Sequence, residues 1–171
     1  MPRYIAFLRG VSPVNAKMPE LKTCFLAAGF KDVLTVLSSG NVVFSTRTST
    51  LPSLQKRAEK AMLESLGHTF ATVIRPADYL QALIASDPFA EFKLSPKAKR
   101  VVTFLRDAPS LTVELPIERD GATILKLAAA EVFTAYEPSP KGPVFMTMLE
   151  RAFGKDITTR TLDTVKKCAW A

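Results

Sequence analysis

Val33-Leu34-Thr35-Val36-Leu37-Ser38-Ser39-Gly40-Asn41-Val42-Val43-Phe44-Ser45 is the stretch that decides the fold. Residues 33–37 are β-rich, Ser38 to Asn41 have turn chemistry, and residues 42–45 resume the strand, so the stretch reads as a hairpin. Upstream, Pro19 sits where a helix starts. Leu21, Phe25 and Ala28 then repeat at helical spacing up to Gly29, a residue suited to the position just past a helix end. A loop, residues 10–17, and a short apolar strand, residues 4–8, precede that helix. Downstream, Thr50 is placed to cap a helix with Pro52 in its first turn. Its apolar face runs Leu54, Ala58, Ala61, Met62, Ser65 and Leu66, and Gly67 ends it. Residues 71–74 make a fourth strand. The order is β-α-β-β-α-β, the split βαβ or ferredoxin-like arrangement.

The order then recurs. A helix over 76–86 presents Tyr79, Leu80, Leu83 and Ile84 on one face and stops at Pro88. Residues 89–99, rich in Lys and Pro, read as a connector. Residues 101–105 form a strand, 109–115 a short helix, 122–127 and 131–136 a second hairpin, and 144–153 a helix ended by Gly154. A brief strand over 157–159 and a closing helix over 162–168 complete the chain. No residue-level repeat accompanies this, so the duplication rests on element order. The expected class is α+β, with two ferredoxin-like (α-β plait) units in tandem and antiparallel sheets carrying helices. The expected division is a first unit over 1–76, a helix and connector over 77–99, and a second unit with the closing helix over 100–171. In the first strand Ile5 and Phe7 alternate with Tyr4, Ala6 and Leu8, and Val42, Val43 and Phe44 follow one another in the third. Strands apolar on both sides belong to sheets covered on both faces. The second unit, or another chain, is expected to supply that cover.

Composition bounds the function. The chain has 171 residues, 47% of them hydrophobic, and at that length folding needs neither a disulfide nor a metal. Cys24 falls beside Leu21, Phe25 and Ala28, and Cys168 beside Leu162 and Val165, so both read as buried structural thiols. Two cysteines and the single histidine, His68, do not make a four-ligand zinc site, and no metal or cofactor is expected. Arg3 and Arg9 interrupt the first apolar run, so no signal peptide forms, and no run approaches the ~20 residues of a membrane span. The expectation is a cytoplasmic protein with no membrane partner. Net charge is +7 and the isoelectric point near 9.6. Residues 1–85 carry 10 basic and 5 acidic residues, and residues 86–171 carry 13 and 11. The excess suits an acidic partner, a nucleic acid or a phosphorylated small molecule, and a solubilising surface accounts for it as well.

Several stretches together resemble the bacterial domain of unknown function 1697 family. They are Tyr4-Ile5-Ala6-Phe7-Leu8-Arg9-Gly10-Val11, Lys17-Met18-Pro19-Glu20-Leu21, Ser38-Ser39-Gly40-Asn41-Val42-Val43-Phe44, Asp87-Pro88-Phe89 and Thr159-Arg160-Thr161-Leu162-Asp163-Thr164-Val165. The resemblance runs over essentially the whole chain. It implies two α-β plaits and no particular activity, cofactor or partner. The chain also departs from the family. A Gly-Gly-rich loop after the first strand becomes Ser12-Pro13-Val14-Asn15-Ala16. An Asn-Trp-Asn stretch near the end becomes Thr161-Leu162-Asp163, and a Gly/Ser-Lys-Leu stretch becomes Gly142-Pro143-Val144.

The expected topology gathers candidate residues. The first two strands of such a unit run parallel, so the end of strand one, the following hairpin turn and the end of the second helix share one sheet end. That end collects Arg9, Gly10, Asn15, Lys17, Ser38, Ser39, Asn41 and His68. Arg9 supplies a bidentate cation, Gly10 close backbone approach, the helix start N–H groups, and Ser39 and Asn41 neutral donors. This set fits a small anionic or nucleotide-like ligand. Hairpin-turn chemistry alone explains Ser38, Ser39 and Asn41 equally. The tail with Arg160, Asp163, Thr164, Lys166 and Lys167 is a second candidate, with Arg160 its leading residue. The connector lysines Lys93, Lys97 and Lys99, with Arg100, are a third, as a phosphate-backbone track. Nucleic-acid binding is the alternative reading, although only Tyr4 and Phe44 offer rings for base stacking. An enzyme is a further alternative, and so is an interaction protein that pairs through an apolar sheet face. There is no P-loop, no GxGxxG after a strand and no Gly-x-Ser-x-Gly elbow, and one histidine leaves few acid–base groups near neutral pH. The reaction class, if any, is left open.

Overall fold

The hairpin at residues 33–45 packs its second strand into the middle of a sheet. In chain order the elements are β1 (Arg3–Leu8), α1 (Met18–Ala27), β2 (Lys31–Thr35), β3 (Asn41–Ser45), α2 (Leu51–Leu66), β4 (Thr72–Pro76) and α3 (Ala77–Ala85). The structure, a computed structural model, describes residues 1–109, 114–138, 140, 142 and 144–171. The first sheet has the order β2-β3-β1-β4 with antiparallel neighbours, so β1 and β2, both antiparallel to β3, run parallel. Tyr4, Ala6, Leu8, Val42, Phe44 and Ile74 face α1 and α2 and form one core with Leu21, Phe25, Leu54 and Met62. Ile5, Phe7, Val43 and Val73 are buried on the opposite face, where α3 lies against β1 and β4.

Local chemistry fixes the helices. Thr50 Oγ1 accepts the Ser53 amide at 3.3 Å and Pro52 stands in the first turn, so the start of α2 is defined by side-chain capping. Arg57 of α2 reaches the end of α1. Its Nε donates to Ala28 O at 2.7 Å and its guanidinium carbon lies 4.4 Å from the centre of the Phe30 ring. Gly29 there has φ +89°, and a Cβ at that position would stand 2.7 Å from Arg57 Nη2.

Gln55 has a different task. It is buried on α2, and its Oε1 accepts the Ile74 amide at 3.0 Å. β4 is an edge strand, so this amide would otherwise be a buried donor with no ladder partner. Gln55→Leu is expected to cost about 1–3 kcal/mol, the desolvation penalty of one orphaned buried donor. Urea unfolding measures it; a loss below about 0.5 kcal/mol, the range of ordinary surface substitutions, contradicts the assignment.

Beyond α3 come β5 (Lys99–Leu105), β6 (Ile117–Arg119), β7 (Ala122–Ala128), β8 (Glu131–Tyr136), α4 (Val144–Phe153), β9 (Ile157–Thr161) and α5 (Leu162–Ala169). The second sheet has the order β6-β7-β8-β5-β9, again antiparallel throughout. Leu105, Ile124, Val132, Leu149 and Ile157 make its core beneath α4. On the other face Phe89 meets Phe133 edge-on, with centroids 5.6 Å apart. The fold is thus mixed α+β, with one sheet of four strands and one of five and five helices among the described residues.

The chain divides into two compact units, Met1–Ala85 with Thr164–Ala171, and Ser86–Asp163. In the first, Gln81 Nε2 donates to Ala169 O at 2.8 Å and Arg3 Nε to Ala171 O at 2.9 Å, which ties the last turn of the chain to α3 and β1. The structure shifts β2 two residues earlier than its sequence pattern suggests. Leu37 takes φ +59°, and the Val36 carbonyl is claimed by the Asn41 side chain, so residues 36–40 belong to the turn. β6 is a strand the pattern did not suggest. The helix expected over 109–115 falls largely outside the described residues. Among the described residues, no helix is long and apolar enough to cross a membrane.

Candidate functional site

At the C-terminal end of β1 three segments meet. The Leu8 amide donates to Gly40 O and the Arg9 amide to Ala71 O, each at 2.9 Å, so residues 9–17, 36–41 and 67–71 share that end of the first sheet. Asn15 shapes the first segment from within: its Oδ1 accepts the Ser12 amide at 2.8 Å and its Nδ2 donates to Gly10 O at 2.8 Å. Asn41, fully buried, does the same for the hairpin turn, where its Nδ2 donates to Val36 O and to Ser39 Oγ, both at 2.9 Å. His68 Nε2 lies 3.2 Å from Asn15 O and links the third segment to the first. A carbonyl only accepts, so this bond requires the proton on Nε2.

The candidate residues therefore divide by role. Asn15 and Asn41 spend their amide groups on holding backbone, and Ser39 is Asn41's acceptor. Arg9 is half-buried, while Gly10, Lys17, Ser38, Ser39 and His68 are exposed. Lys17 stands at the head of α1, where its carbonyl accepts the Glu20 and Leu21 amides and its side chain makes no capping hydrogen bond. As a cation it caps no helix amide, so its charge adds to the positive end of the helix. The three segments carry Arg9, Lys17 and His68 and not one carboxylate. Glu20 is the nearest acid along the chain, in the first turn of α1.

A groove of about 480 Å³ opens between the first turns of α1 and the last turn of α2, lined by Thr23, Cys24 and Ser65 among others. Burial pushes the Cys24 thiol up from its ordinary value, so at neutral pH it is a protonated, poorly nucleophilic group. Both cysteines are buried. Among the described residues no group of three or more His, Cys, Asp and Glu side chains is placed to hold a metal ion.

The other candidates lie in the second unit or on α5. Arg160 is a β9 residue, 9% exposed, whose Nη1 donates to Thr159 O at 2.9 Å. Thr158, two residues before it on the same face of the strand, has a buried Oγ1 with no hydrogen-bond partner among the described residues. Lys166 and Lys167 are exposed in the last turn of α5, and Lys93, Lys97, Lys99 and Arg100 are exposed as well. Arg119 and Arg151, which do not stand out in the sequence, line a cavity beside α4. The available signal was Arg151 following the apolar stripe Val144–Met148 at helical spacing, but an arginine there reads first as a solvated helix end.

The family described as proteins of unknown function, DUF1697, matches over residues 1–133. The chain belongs to that family. The match takes in β1 through the first half of β8 and all three segments of the candidate site, and stops short of the stretch around Arg160. A conserved bacterial protein from Streptococcus pneumoniae has a similar solved structure, with a TM-score of 0.72 over 99% of this chain and 97% of the other. At 18% identity that likeness is one of fold. No curated protein sequence matches this DUF1697 member.

Proposed function

We propose that this DUF1697 protein is a binding module for a small anionic or nucleotide-like ligand, taken up at the loop end of the first sheet. The observation that carries the reading is the meeting of three segments that hold Arg9, Lys17 and His68 without a carboxylate. Hydrogen bonds from Asn15 and Asn41 fix those segments before any ligand arrives, which lowers the ordering cost of binding. Arg9 offers the planar fork suited to phosphate or carboxylate oxygens. We read both sheets as ferredoxin-like plaits in tandem. β1-α1-β2-β3-α2-β4 with sheet order β2-β3-β1-β4 supports this, as do β5, β7, β8 and β9, which take the corresponding places in the second sheet. We place the protein in the cytoplasm.

Nucleic acid is the weaker reading. Tyr4 and Phe44, the rings a base would stack on, are 4% and 0% exposed and lie in the core under α1 and α2. Calorimetric titration with inorganic pyrophosphate and with ATP tests the proposal. Saturable binding is expected, and Arg9→Ala should weaken it about 10- to 100-fold, the equivalent of one charge-assisted interaction of ~1.5–3 kcal/mol. Binding that Arg9→Ala leaves unchanged moves the site elsewhere.

A further inference from the structure

The second unit contains a cavity of about 620 Å³ between α4 and the β6–β7 hairpin. That volume falls within the ~300–1,000 Å³ of small-molecule sites. Its walls are segregated. Ile117 and Ile124, cross-strand partners, face Val144 and Met148 of α4, which gives an apolar interior. The charged groups stand around it. Arg119 comes from the last residue of β6, Asp120 from the turn and Arg151 from the last turn of α4.

Register sets the hairpin wall of the cavity. Ile117 pairs with Ile124 and Arg119 with Ala122, and both partners belong to the core under α4. Glu118, which pairs with Thr123, lines the cavity as well. Arg119 Nε has Asp120 Oδ2 at 4.0 Å. Arg151 has no hydrogen-bond or ion-pair partner among the described residues. Two guanidinium groups and two carboxylates line the hollow, and of the two guanidinium groups Arg119 has Asp120 beside it, which leaves Arg151 to meet an anion. A second hollow of about 210 Å³ shares Asp120 and Val144 with the first and is walled by the stacked Tyr136 and Phe145 rings, 4.3 Å apart.

We propose that this cavity binds a small amphipathic anion, a carboxylate carried on an apolar body. The body lies against Ile117, Ile124, Val144 and Met148, and the carboxylate meets the Arg151 fork. This site goes beyond the anion site at the end of the first sheet and does not depend on it.

Calorimetric titration of the full chain with octanoate, and with octanol as its uncharged counterpart, tests the proposal. One saturable site per chain is expected for octanoate, with octanol at least about 10-fold weaker, the ratio one charge-assisted contact supplies. Arg151→Gln should weaken octanoate about 10-fold or more, and Arg151→Lys, which keeps the charge but loses the fork, should fall between. Thr147→Trp, an exposed α4 position on the cavity wall, should block binding by filling the space. Lys22→Gln, which removes one exposed charge from the first unit, should leave octanoate unchanged. No saturable octanoate binding overturns the proposal. So does octanol binding as tightly, or an unaltered affinity in both Arg151→Gln and Thr147→Trp.

Discussion

Phe44→Ala is expected to destabilise the first unit by about 3–5 kcal/mol, the range for truncating a fully buried aromatic residue. Phe44 has no exposed surface and sits on β3, next to β1 in the sheet. Its ring lies 4.2 Å from Phe30, 5.7 Å from Phe25 and 5.8 Å from Tyr4, centroid to centroid. Three elements thus deliver rings to one point: β1, the helix α1 and the turn behind it. The Tyr4↔Phe44 register holds the backbone on either side, so the hole left by alanine cannot close by sliding a strand. Urea unfolding gives the number, with Leu26→Ala, at a 47% exposed position, as the surface control expected within about 0.5 kcal/mol. A Phe44→Ala loss below about 1 kcal/mol, the centre of ordinary single-site effects, contradicts this packing.

Gly40→Ala is expected to cost about 2–6 kcal/mol, left-handed strain of ~1–3 kcal/mol plus overpacking of similar size. Gly40 has φ +87°, which an L side chain rarely adopts. An added Cβ would stand 2.8 Å from Val11 Cγ2, 2.9 Å from Val11 Cβ and 3.1 Å from Leu8 Cβ. None of these is the far end of a flexible chain, so backbone must move. What moves is the seam of the candidate site, because Gly40 O is the acceptor of the Leu8 amide and the turn carries Ser39 and Asn41. The substitution should therefore lower pyrophosphate affinity as well as the unfolding midpoint. A stable Gly40→Ala protein with full affinity would mean that the loop after β1 and the hairpin turn are not coupled.

Much of the first unit was legible because its signals are local. Thr50 with Pro52, Gly29 and Gly67 punctuate helices by mechanisms that need only neighbouring residues, and Ser38 to Asn41 announce a turn. The sheet end around Arg9 was also accessible, since β-α-β-β-α-β order alone decides which loops share it. Non-local facts were not. That Asn41 takes the Val36 carbonyl and so ends β2 at Thr35 is a property of the folded turn. Gln55 looks like any polar helix residue until Ile74 is placed beside it. β6, three residues long, exists only because β7 lies alongside. The cavity beside α4 follows from that pairing, which sets Ile117 and Arg119 beside the core residues Ile124 and Ala122.

The central claim, an anion site at the loop end of the first sheet, is tested most directly by residue-resolved NMR of the ¹⁵N-labelled protein during a pyrophosphate titration. Saturable shifts centred on the amides of Arg9, Gly10, Lys17, Ser39 and His68 are predicted, and they should vanish in Arg9→Ala. Shifts that saturate elsewhere, or that grow without saturation over the whole basic surface, would contradict it.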